Sequence, residues 1–427
     1  MNKKKQILCF VDFGFSSIRL SLCSVVNYKL NEIIFFEEKK IPLPTYRLQS
    51  VVMQESNFDT LLELIDVAEK KAKTNITEII FLFKDRSIQH VQEKQVICFS
   101  HNQKIFYSHL EKLSHKTIES FCKKYGKNYD ITDMIQDYFL TDGYMVSNPY
   151  KITCKTIEMT SSIFAIKKIT TKFFCEYLEK CKIHARHFLS PSCCLSFLLK
   201  HDAYQKGIFL IIDIGACNVE FSVLKDGYII LSRVLCIGGF DITRDIFSLM
   251  KIYLQDAEDL KKIISKKNYN TIIKKLSSMQ SFADMTMSQI EQIILQITEI
   301  ADARFNEIAT FVLEDINKDF KYINFNKILL FGDGSKYKNA EKIMADTFNT
   351  KVEVIKPNII ENNYIFKNIF DSYDDKERGK ILNQKNIPLL GAIAVYISNM
   401  QKYDNLKKGF FYKVPKKISC LLKELIY

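Results

Sequence analysis

The sequence predicts an α/β protein with two similar halves around a cleft. Two apolar runs about half a chain apart, 7–11 and 208–212, each end in an Asp-x-Gly turn and continue into a second strand-like run. A third apolar run, 327–331, leads into Gly332-Asp333-Gly334-Ser335 and then a helical pattern. A glycine-rich turn between a strand and a helix is typical of phosphate or nucleotide binding. The repeated units therefore predict a duplicated fold, and the third turn points to a phosphate-bearing ligand.

Composition limits the class of protein. With 427 residues, of which 47% are hydrophobic and 26% charged, the chain is long enough for two or more well-buried domains. The net charge of +12 favours an anionic partner but does not distinguish nucleic acid, anionic lipid and an acidic peptide. The twelve cysteines have no CxxC spacing, which predicts reduced thiols rather than a zinc site or a disulfide framework. No stretch approaches the roughly 20 apolar residues needed to span a bilayer, so any membrane contact is expected to be peripheral.

The other elements follow from hydrophobic periodicity. The second Asp-x-Gly unit continues as an alternating hairpin, 219–224 and 228–235, around an Asp226-Gly227 turn. Apolar residues at helical or strand spacing predict helices at 60–73, 167–182 and about 338–347, and a strand at 78–83.

Asp12 and Asp213 are the first candidates for chemistry, because each ends a buried strand. A carboxylate there is costly unless it meets a cation or several donors, and hydrated Mg²⁺ on nucleotide phosphates is a suitable partner. The glycines that follow, Gly14 and Gly215, let backbone amides approach phosphate oxygens. Either Asp-x-Gly alone is also typical of a simple tight turn. The three glycine turns in this order favour the nucleotide interpretation.

The turns carry a resemblance to a known superfamily. Asp-Phe-Gly-Phe-Ser-Ser from residue 12, Asp-Ile-Gly-Ala-Cys-Asn from residue 213, and Gly332-Asp333-Gly334 resemble the phosphate-1, phosphate-2 and adenosine motifs of the actin/Hsp70/sugar-kinase superfamily. Within it the chain is similar to the FtsA family from end to end, most visibly in the runs 238–246 (GGFDITRDI) and 256–261 (DAEDLK). The resemblance implies an actin-like, duplicated ribonuclease-H-type fold with two halves around a nucleotide cleft and an FtsA-type inserted subdomain.

The resemblance also implies the ligands, ATP and Mg²⁺. Asp12 and Asp213 would hold the Mg²⁺ through water, and Glu258 and Lys261 would contact ribose and adenine, although their spacing alone is typical of a solvated helix face. The loop Ala216-Cys217-Asn218 replaces a Gly-Gly-Thr loop, so we expect weak ATPase activity at best. The nucleotide-binding residues implied are Asp12, Gly14, Ser16, Ser17, Asp213, Gly215, Ala216, Cys217, Asn218, Gly238, Gly239, Glu258, Lys261, Gly332, Asp333, Gly334 and Ser335.

The resemblance divides the chain into subdomains. The first actin-like core comprises 1–85 and 163–205, with an inserted subdomain at 86–162. The second core comprises 206–244 and 326–400, with a helical subdomain at 245–325. A short linker, 401–414, then leads to a terminal helix at 415–427.

The last thirteen residues predict an amphipathic helix. Its apolar face carries Ile418, Leu421, Leu422, Leu425 and Ile426, and Lys416 and Lys417 lie outside that face. By pattern alone such a helix suits the surface of an anionic membrane and packing on the protein's own core equally well. The resemblance favours the membrane, because FtsA-like proteins end in a membrane-targeting helix.

The function implied is that of a cell-division protein at the cytoplasmic face of the bacterial inner membrane, at the division site. It would bind ATP, self-associate into filaments, tether the FtsZ ring to anionic membrane lipid and recruit later division membrane proteins. Lysines of the helical subdomain would attract the acidic C-terminal peptide of FtsZ, although a charge run is also typical of solvated surface. These lysines are Lys261, Lys262, Lys266, Lys267, Lys274 and Lys275.

Two alternatives stay open: an actin-fold small-molecule kinase, and an FtsA-like pilus-assembly scaffold in which the tail has no membrane function. Nucleic acid is not expected as a partner, because no aromatic residues are interleaved with the basic runs in a known motif.

Overall fold

The structure, a computed structural model, describes residues 5–42, 55–200, 204, 206–265, 269–277, 282 and 285–407. The predicted membrane helix, 415–427, lies outside the described residues. The last described helix runs to Lys407, seven residues into the range predicted as a linker. Within the described part of the chain, no helix combines the length and apolarity needed to cross a membrane.

Strands and helices are interspersed along the chain. The strands are β1 Lys5–Phe13, β2 Ser17–Val26, β3 Lys29–Lys40, β4 Glu78–Phe83, β5 Ile88–Lys104, β6 Tyr129–Thr141, β7 Tyr144–Val146, β8 Thr153–Lys167, β9 His184–Leu189, β10 Ile208–Ile214, β11 Val219–Lys225, β12 Tyr228–Leu235, β13 Lys327–Phe331 and β14 Val352–Val354. The helices are α1 Glu55–Ala72, α2 Tyr107–Tyr125, α3 Lys168–Lys180, α4 Pro191–Lys200, α5 Gly239–Met250, α6 Leu254–Ile264, α7 Tyr269–Ser277, α8 Met287–Asn317, α9 Ala340–Phe348, α10 Asn358–Glu361, α11 Asp375–Ile381 and α12 Ile387–Lys407.

Two five-stranded sheets have the same architecture. The first has the order β3-β2-β1-β4-β9, and the second has the order β12-β11-β10-β13-β14. In each, the central strand is antiparallel to its hairpin partner and parallel to the strand on its other side. The central strands are buried from Leu8 to Val11 and from Phe209 to Ile214, as a continuous apolar run requires. The predicted duplicated fold is therefore confirmed.

Each half carries a different insertion. In the first half, a four-stranded sheet of order β5-β8-β6-β7 follows β4 and packs against α2. It spans Ile88 to Lys167, compared with 86–162 in the predicted inserted subdomain. In the second half, helices α5 to α8 lie between β12 and β13. The long helix α8 begins with a capping box, in which Thr286 accepts from the amide of Gln289.

Helices α4 and α12 join the two halves. Their apolar residues form one core with both sheets, from Phe10 in the first sheet to Phe209 in the second. The two helices approach closely at Gly391, where a Cβ would lie 3.1 Å from the Cys194 carbonyl oxygen. Pro191 begins α4 and Pro388 lies in the first turn of α12, and both line the cavity between the halves. The amino-terminal ends of two helices therefore lie at this cavity, which favours an anionic ligand there.

Candidate nucleotide-binding site

Two equivalent turns follow the central strands of the two sheets. Asp12 is the second-last residue of β1, and Asp213 is the second-last residue of β10. In each turn the glycine amide donates to the carbonyl oxygen three residues later, at 3.2 Å for Gly14 and 2.9 Å for Gly215. A Cβ on either glycine would lie 2.9 Å from that same oxygen. The closeness of this approach explains why both turns contain glycine.

Each of the two aspartates is already paired with a cation of the chain. Arg19 Nη1 donates to Asp12 Oδ2 at 2.7 Å, and its Nε donates to Glu38 at 3.1 Å. Lys84 Nζ lies 2.5 Å from Asp213 Oδ2. Burial raises the pKa of Asp12, while the charges of Arg19 and Lys84 oppose that rise. The turns therefore combine a buried carboxylate, that of Asp213, and a partly buried one, that of Asp12, with cations at hydrogen-bonding distance.

Glu258 and Lys261 form a buried network with the start of α5. Lys261 Nζ donates to Glu258 Oε2 at 2.6 Å, to Thr243 Oγ1 at 2.8 Å and to the Gly239 carbonyl oxygen at 2.9 Å. Burial lowers the pKa of Lys261 and acts to raise that of Glu258, but Lys261, Thr243 and Lys262 together hold the pKa of Glu258 below its usual value. The pair is thus not a solvated helix face, which was the alternative left open by its spacing.

The turn after β13 packs against the second aspartate. Gly332 has φ +77°, and a Cβ there would lie 2.4 Å from Asp213 Oδ1 and 2.5 Å from the Ile214 carbonyl oxygen. Asp333 begins a 3-10 turn, Asp333–Lys336, and pairs with Lys336 at 2.7 Å. The helical pattern predicted after this turn is α9, which begins at Ala340.

A cavity of about 90 Å³ lies between these turns. It brings together Asp12, Gly14, Ser16, Ser17, Asp213, Gly215, Ala216, Asn218, Gly332 and Asp333 from the predicted residues. The other predicted residues do not line it: Cys217, Gly238, Gly239, Glu258, Lys261, Gly334 and Ser335.

The predicted residues outside the cavity lie close to its walls. Gly239 donates its amide to the Gly215 carbonyl oxygen at 3.0 Å, so the start of α5 is bonded to the second turn. Cys217 is buried in an apolar cluster. Ser335 is buried and donates to the Gly332 carbonyl oxygen at 2.7 Å.

Sequence reasoning missed the cations of the cavity, Arg19, Lys84 and Lys385. Arg19 could have been found, because it lies opposite Asp12 in the hairpin register. Lys84 could not, because its contact depends on how the two halves meet. Among the described residues, no group of three or more His, Cys, Asp or Glu side chains could hold a metal ion.

Comparison with known proteins identifies relatives of this chain. The family model for the cell-division protein FtsA matches residues 210–372. FtsA of Bacillus subtilis is 24% identical over 240 residues, which cover 54% of this chain and 52% of that protein. FtsA of Streptococcus pneumoniae is 18% identical over 353 residues, which cover 82% of this chain and 75% of that protein. The chain spans about half the length of three curated relatives that it matches.

A solved structure supports the fold over nearly the whole chain. The PilM–PilN type IV pilus biogenesis complex matches with a TM-score of 0.58 at 13% identity, covering 91% of this chain and 98% of that one. At this identity the match concerns the fold alone. The resemblance predicted from the motifs is confirmed: the chain is related to the cell-division protein FtsA and has an actin-like fold.

Proposed function

We propose that this protein is an ATP-binding scaffold of bacterial cell division that tethers the FtsZ ring to the cytoplasmic face of the inner membrane. The observation that carries the proposal is the FtsA family match from β10 to residue 372, which includes the second phosphate turn and the turn after β13. Self-association into filaments and recruitment of later division membrane proteins belong to the same proposal.

ATP is the proposed ligand of the cleft. Two Asp-x-Gly turns and the amino-terminal ends of two helices face one cavity, an arrangement that suits phosphate groups. Glu258 and Lys261 lie in α6, whose neighbour α5 is bonded to the second turn. The cavity of about 90 Å³ is smaller than the roughly 300–1,000 Å³ of typical ligand pockets. We therefore expect the two halves to separate when a nucleotide enters.

The helical subdomain is the proposed site for the acidic FtsZ peptide. Lys262, with 52% of its side chain exposed, and Lys274 present positive charge on its surface. Phe247, Leu249 and Tyr253 add exposed apolar area on and just after α5. The predicted role of Lys261 in this attraction is weakened, because its ammonium group is bonded inside the subdomain.

Co-sedimentation with anionic liposomes tests the tether. We expect the full chain to pellet with the vesicles and a chain truncated after Lys413 to stay in solution. A matched pair of variants separates apolar insertion from charge: Leu422→Glu places a charge on the apolar face, whereas Glu424→Gln changes the polar side. Loss of binding only in Leu422→Glu supports membrane insertion. A full chain that stays in solution would remove the tether from the proposal.

A pilus-assembly scaffold is the second candidate, and the fold match to the PilM–PilN complex over 91% of the chain is compatible with it. Fluorescence anisotropy with a labelled FtsZ C-terminal peptide, alongside a scrambled peptide of the same charge, distinguishes the two. Sequence-specific binding supports the division role. Equal binding of both peptides, together with capture of a PilN-type protein, would replace it with the pilus role.

A further inference from the structure

The charges that line the cavity are balanced within the chain. Three cations and three carboxylates face it: Arg19, Lys84 and Lys385, and Asp12, Asp213 and Asp333. Arg19 and Lys84 pair with Asp12 and Asp213, Lys385 with Glu38, and Asp333 with Lys336. Each carboxylate that could receive a metal ion therefore already has a cation of the protein beside it.

The second hairpin has no cation opposite its aspartate. In the first hairpin, Asp12 lies opposite Arg19, but at the equivalent position of the second hairpin Asp213 lies opposite Glu220. Glu220 is buried, and burial raises its pKa. Two carboxylates at one strand end need a cation from elsewhere. Lys84 supplies it from the first half, immediately after β4.

The side chains do not fit a hydrated Mg²⁺ ion. Mg²⁺ requires octahedral oxygen ligands at about 2.0–2.1 Å and usually keeps several waters. Lys84 Nζ lies 2.5 Å from Asp213 Oδ2, and Arg19 Nη1 lies 2.7 Å from Asp12 Oδ2. An ion beside either oxygen would meet a resident positive charge. The Mg²⁺ predicted from the sequence is thus at odds with the geometry.

Lys84 is held against the turn from Gly215 to Asn218, which follows the central strand of the second half. Its ammonium group lies 3.5 Å from the Asp213 carbonyl oxygen, and a Cβ on Gly215 would be 3.4 Å from it. Asn218 Nδ2 donates to the Lys84 carbonyl oxygen at 3.2 Å, which fixes the backbone. Only 18% of the Lys84 side chain is exposed, and it lines the cavity. The Lys84 ammonium group therefore places a positive charge at this turn.

We propose that Lys84 takes the place of the divalent cation in this site, so that nucleotide phosphates meet its ammonium group and binding needs no metal. The inference rests on the proposed binding of ATP. An ammonium group is a compact charge with three donors, which suits phosphate oxygens. The Lys84 ammonium group then pairs with Asp213 in the nucleotide-free cleft and with phosphate oxygens in the nucleotide-bound cleft.

Titration of the full chain with a fluorescent ATP derivative, in excess EDTA and in excess Mg²⁺, tests the inference. We expect the wild-type protein to give the same dissociation constant in both solutions. Lys84→Met should weaken binding in EDTA by roughly 10- to 100-fold, the loss of one charge-assisted contact. Mg²⁺ should restore much of that loss, because Asp213 is then free to bind it.

Two further variants control the experiment. Lys318→Met removes an ion pair of similar length, 2.6 Å to Asp315, that does not line the cavity, and should bind as the wild type does. Lys84→Arg keeps the positive charge, so its ATP binding should stay independent of Mg²⁺. This variant provides the test if Lys84→Met fails to fold.

The outcomes separate the two proposals. Wild-type binding that requires Mg²⁺, or Lys84→Met binding unchanged in EDTA, would overturn the role of Lys84 and leave ATP binding intact. No binding by the wild type in either solution would overturn the nucleotide proposal itself, and the role of Lys84 with it.

Discussion

The two halves of this protein share a sheet topology but differ in charge at equivalent positions. Both central strands end in an aspartate followed by a glycine turn. Across the hairpin, Asp12 faces Arg19, whereas Asp213 faces Glu220. Asp12 is therefore paired within the first half, whereas Asp213 depends on Lys84 from the first half. The charges of the two halves are thus complementary rather than symmetric at the cleft.

The strands beside the central pair show the same complementarity. Leu82 pairs with Asp12 and Phe331 pairs with Asp213, so Lys84 and Asp333, two residues further on, hold equivalent positions. One is positive and the other negative. Burial acts to raise the pKa of Asp333, but Lys336, Arg19 and Lys385 together hold it below its usual value. Each strand end thus places a charge that interacts with the opposite half.

The largest effect is expected from breaking the self-contained pair of the first half. Arg19→Met leaves Asp12 without its closest cation and removes one of the two cations of Glu38. Because Arg19 is only 12% exposed, we expect the free energy of unfolding to fall by about 3–4 kcal/mol in a urea titration. Adding Asp12→Asn should recover part of the loss. A decrease below about 1 kcal/mol would mean that the pair behaves as a surface ion pair.

A smaller loss of stability is expected from changing Gly332, a glycine that has no glycine counterpart in the first half. Gly332 occupies the position equivalent to Phe83, because each directly follows the residue that pairs with the strand-end aspartate, Phe331 and Leu82 respectively. Gly332→Ala adds a Cβ within 2.4 Å of Asp213 Oδ1 to a residue with φ +77°. We expect a loss of about 2–3 kcal/mol in unfolding free energy and weaker ATP binding.

Gly143→Ala is the matched control, because Gly143 has φ +86° but no atom within 4 Å of an added Cβ. It should cost only the backbone strain, about 1 kcal/mol, and leave ATP binding unchanged. Equal losses for the two variants would show that contact with Asp213 is unimportant.

The duplicated fold could be predicted from the sequence, because a buried strand followed by a glycine turn is visible as an apolar run that ends in Asp-x-Gly. The predicted hairpin, 219–224 and 228–235, corresponds to Val219–Lys225 and Tyr228–Leu235. The predicted helix at 60–73 begins earlier, at Glu55, since the apolar spacing marks only its buried turns.

The charges of the cleft were beyond sequence reasoning for a physical reason. The contact between Lys84 and Asp213 joins residues 129 positions apart and depends on the approach of two sheets. Glu258 and Lys261 have the spacing of a solvated pair, but the packing of α6 on its neighbouring helices buries Glu258 and leaves only 17% of the Lys261 side chain exposed. Local patterns carry no information about which half supplies a counter-ion.

The smallest effect is expected at a contact between the inserted sheet of the first half and β12 of the second half. Asp137 lies in the inserted sheet, and the single hydroxyl of Ser162 lies 2.7 Å from Asp137 Oδ2 and 3.2 Å from the Ile229 carbonyl oxygen of the second half. Burial raises the pKa of Asp137 to about 7, opposed by Ser162, Gln92 and Lys200. The protonated carboxyl is therefore favoured at this contact between the halves.

Because the folded pKa of Asp137 exceeds the value of 3.8 for an ordinary aspartate, its contribution to stability is present below pH 3.8 and is lost as pH rises through about 7. Asp137→Asn mimics the protonated carboxyl, so it should remove about 1–2 kcal/mol of the fall in unfolding free energy between pH 5 and pH 8. Urea titrations at both pH values measure this difference. Asp59→Asn, at an exposed position of α1, should keep the wild-type pH dependence. If Asp137→Asn has the same pH dependence of unfolding free energy as the wild type, this carboxyl is ionised in the folded protein. The contact with the second half would then form beside a buried negative charge.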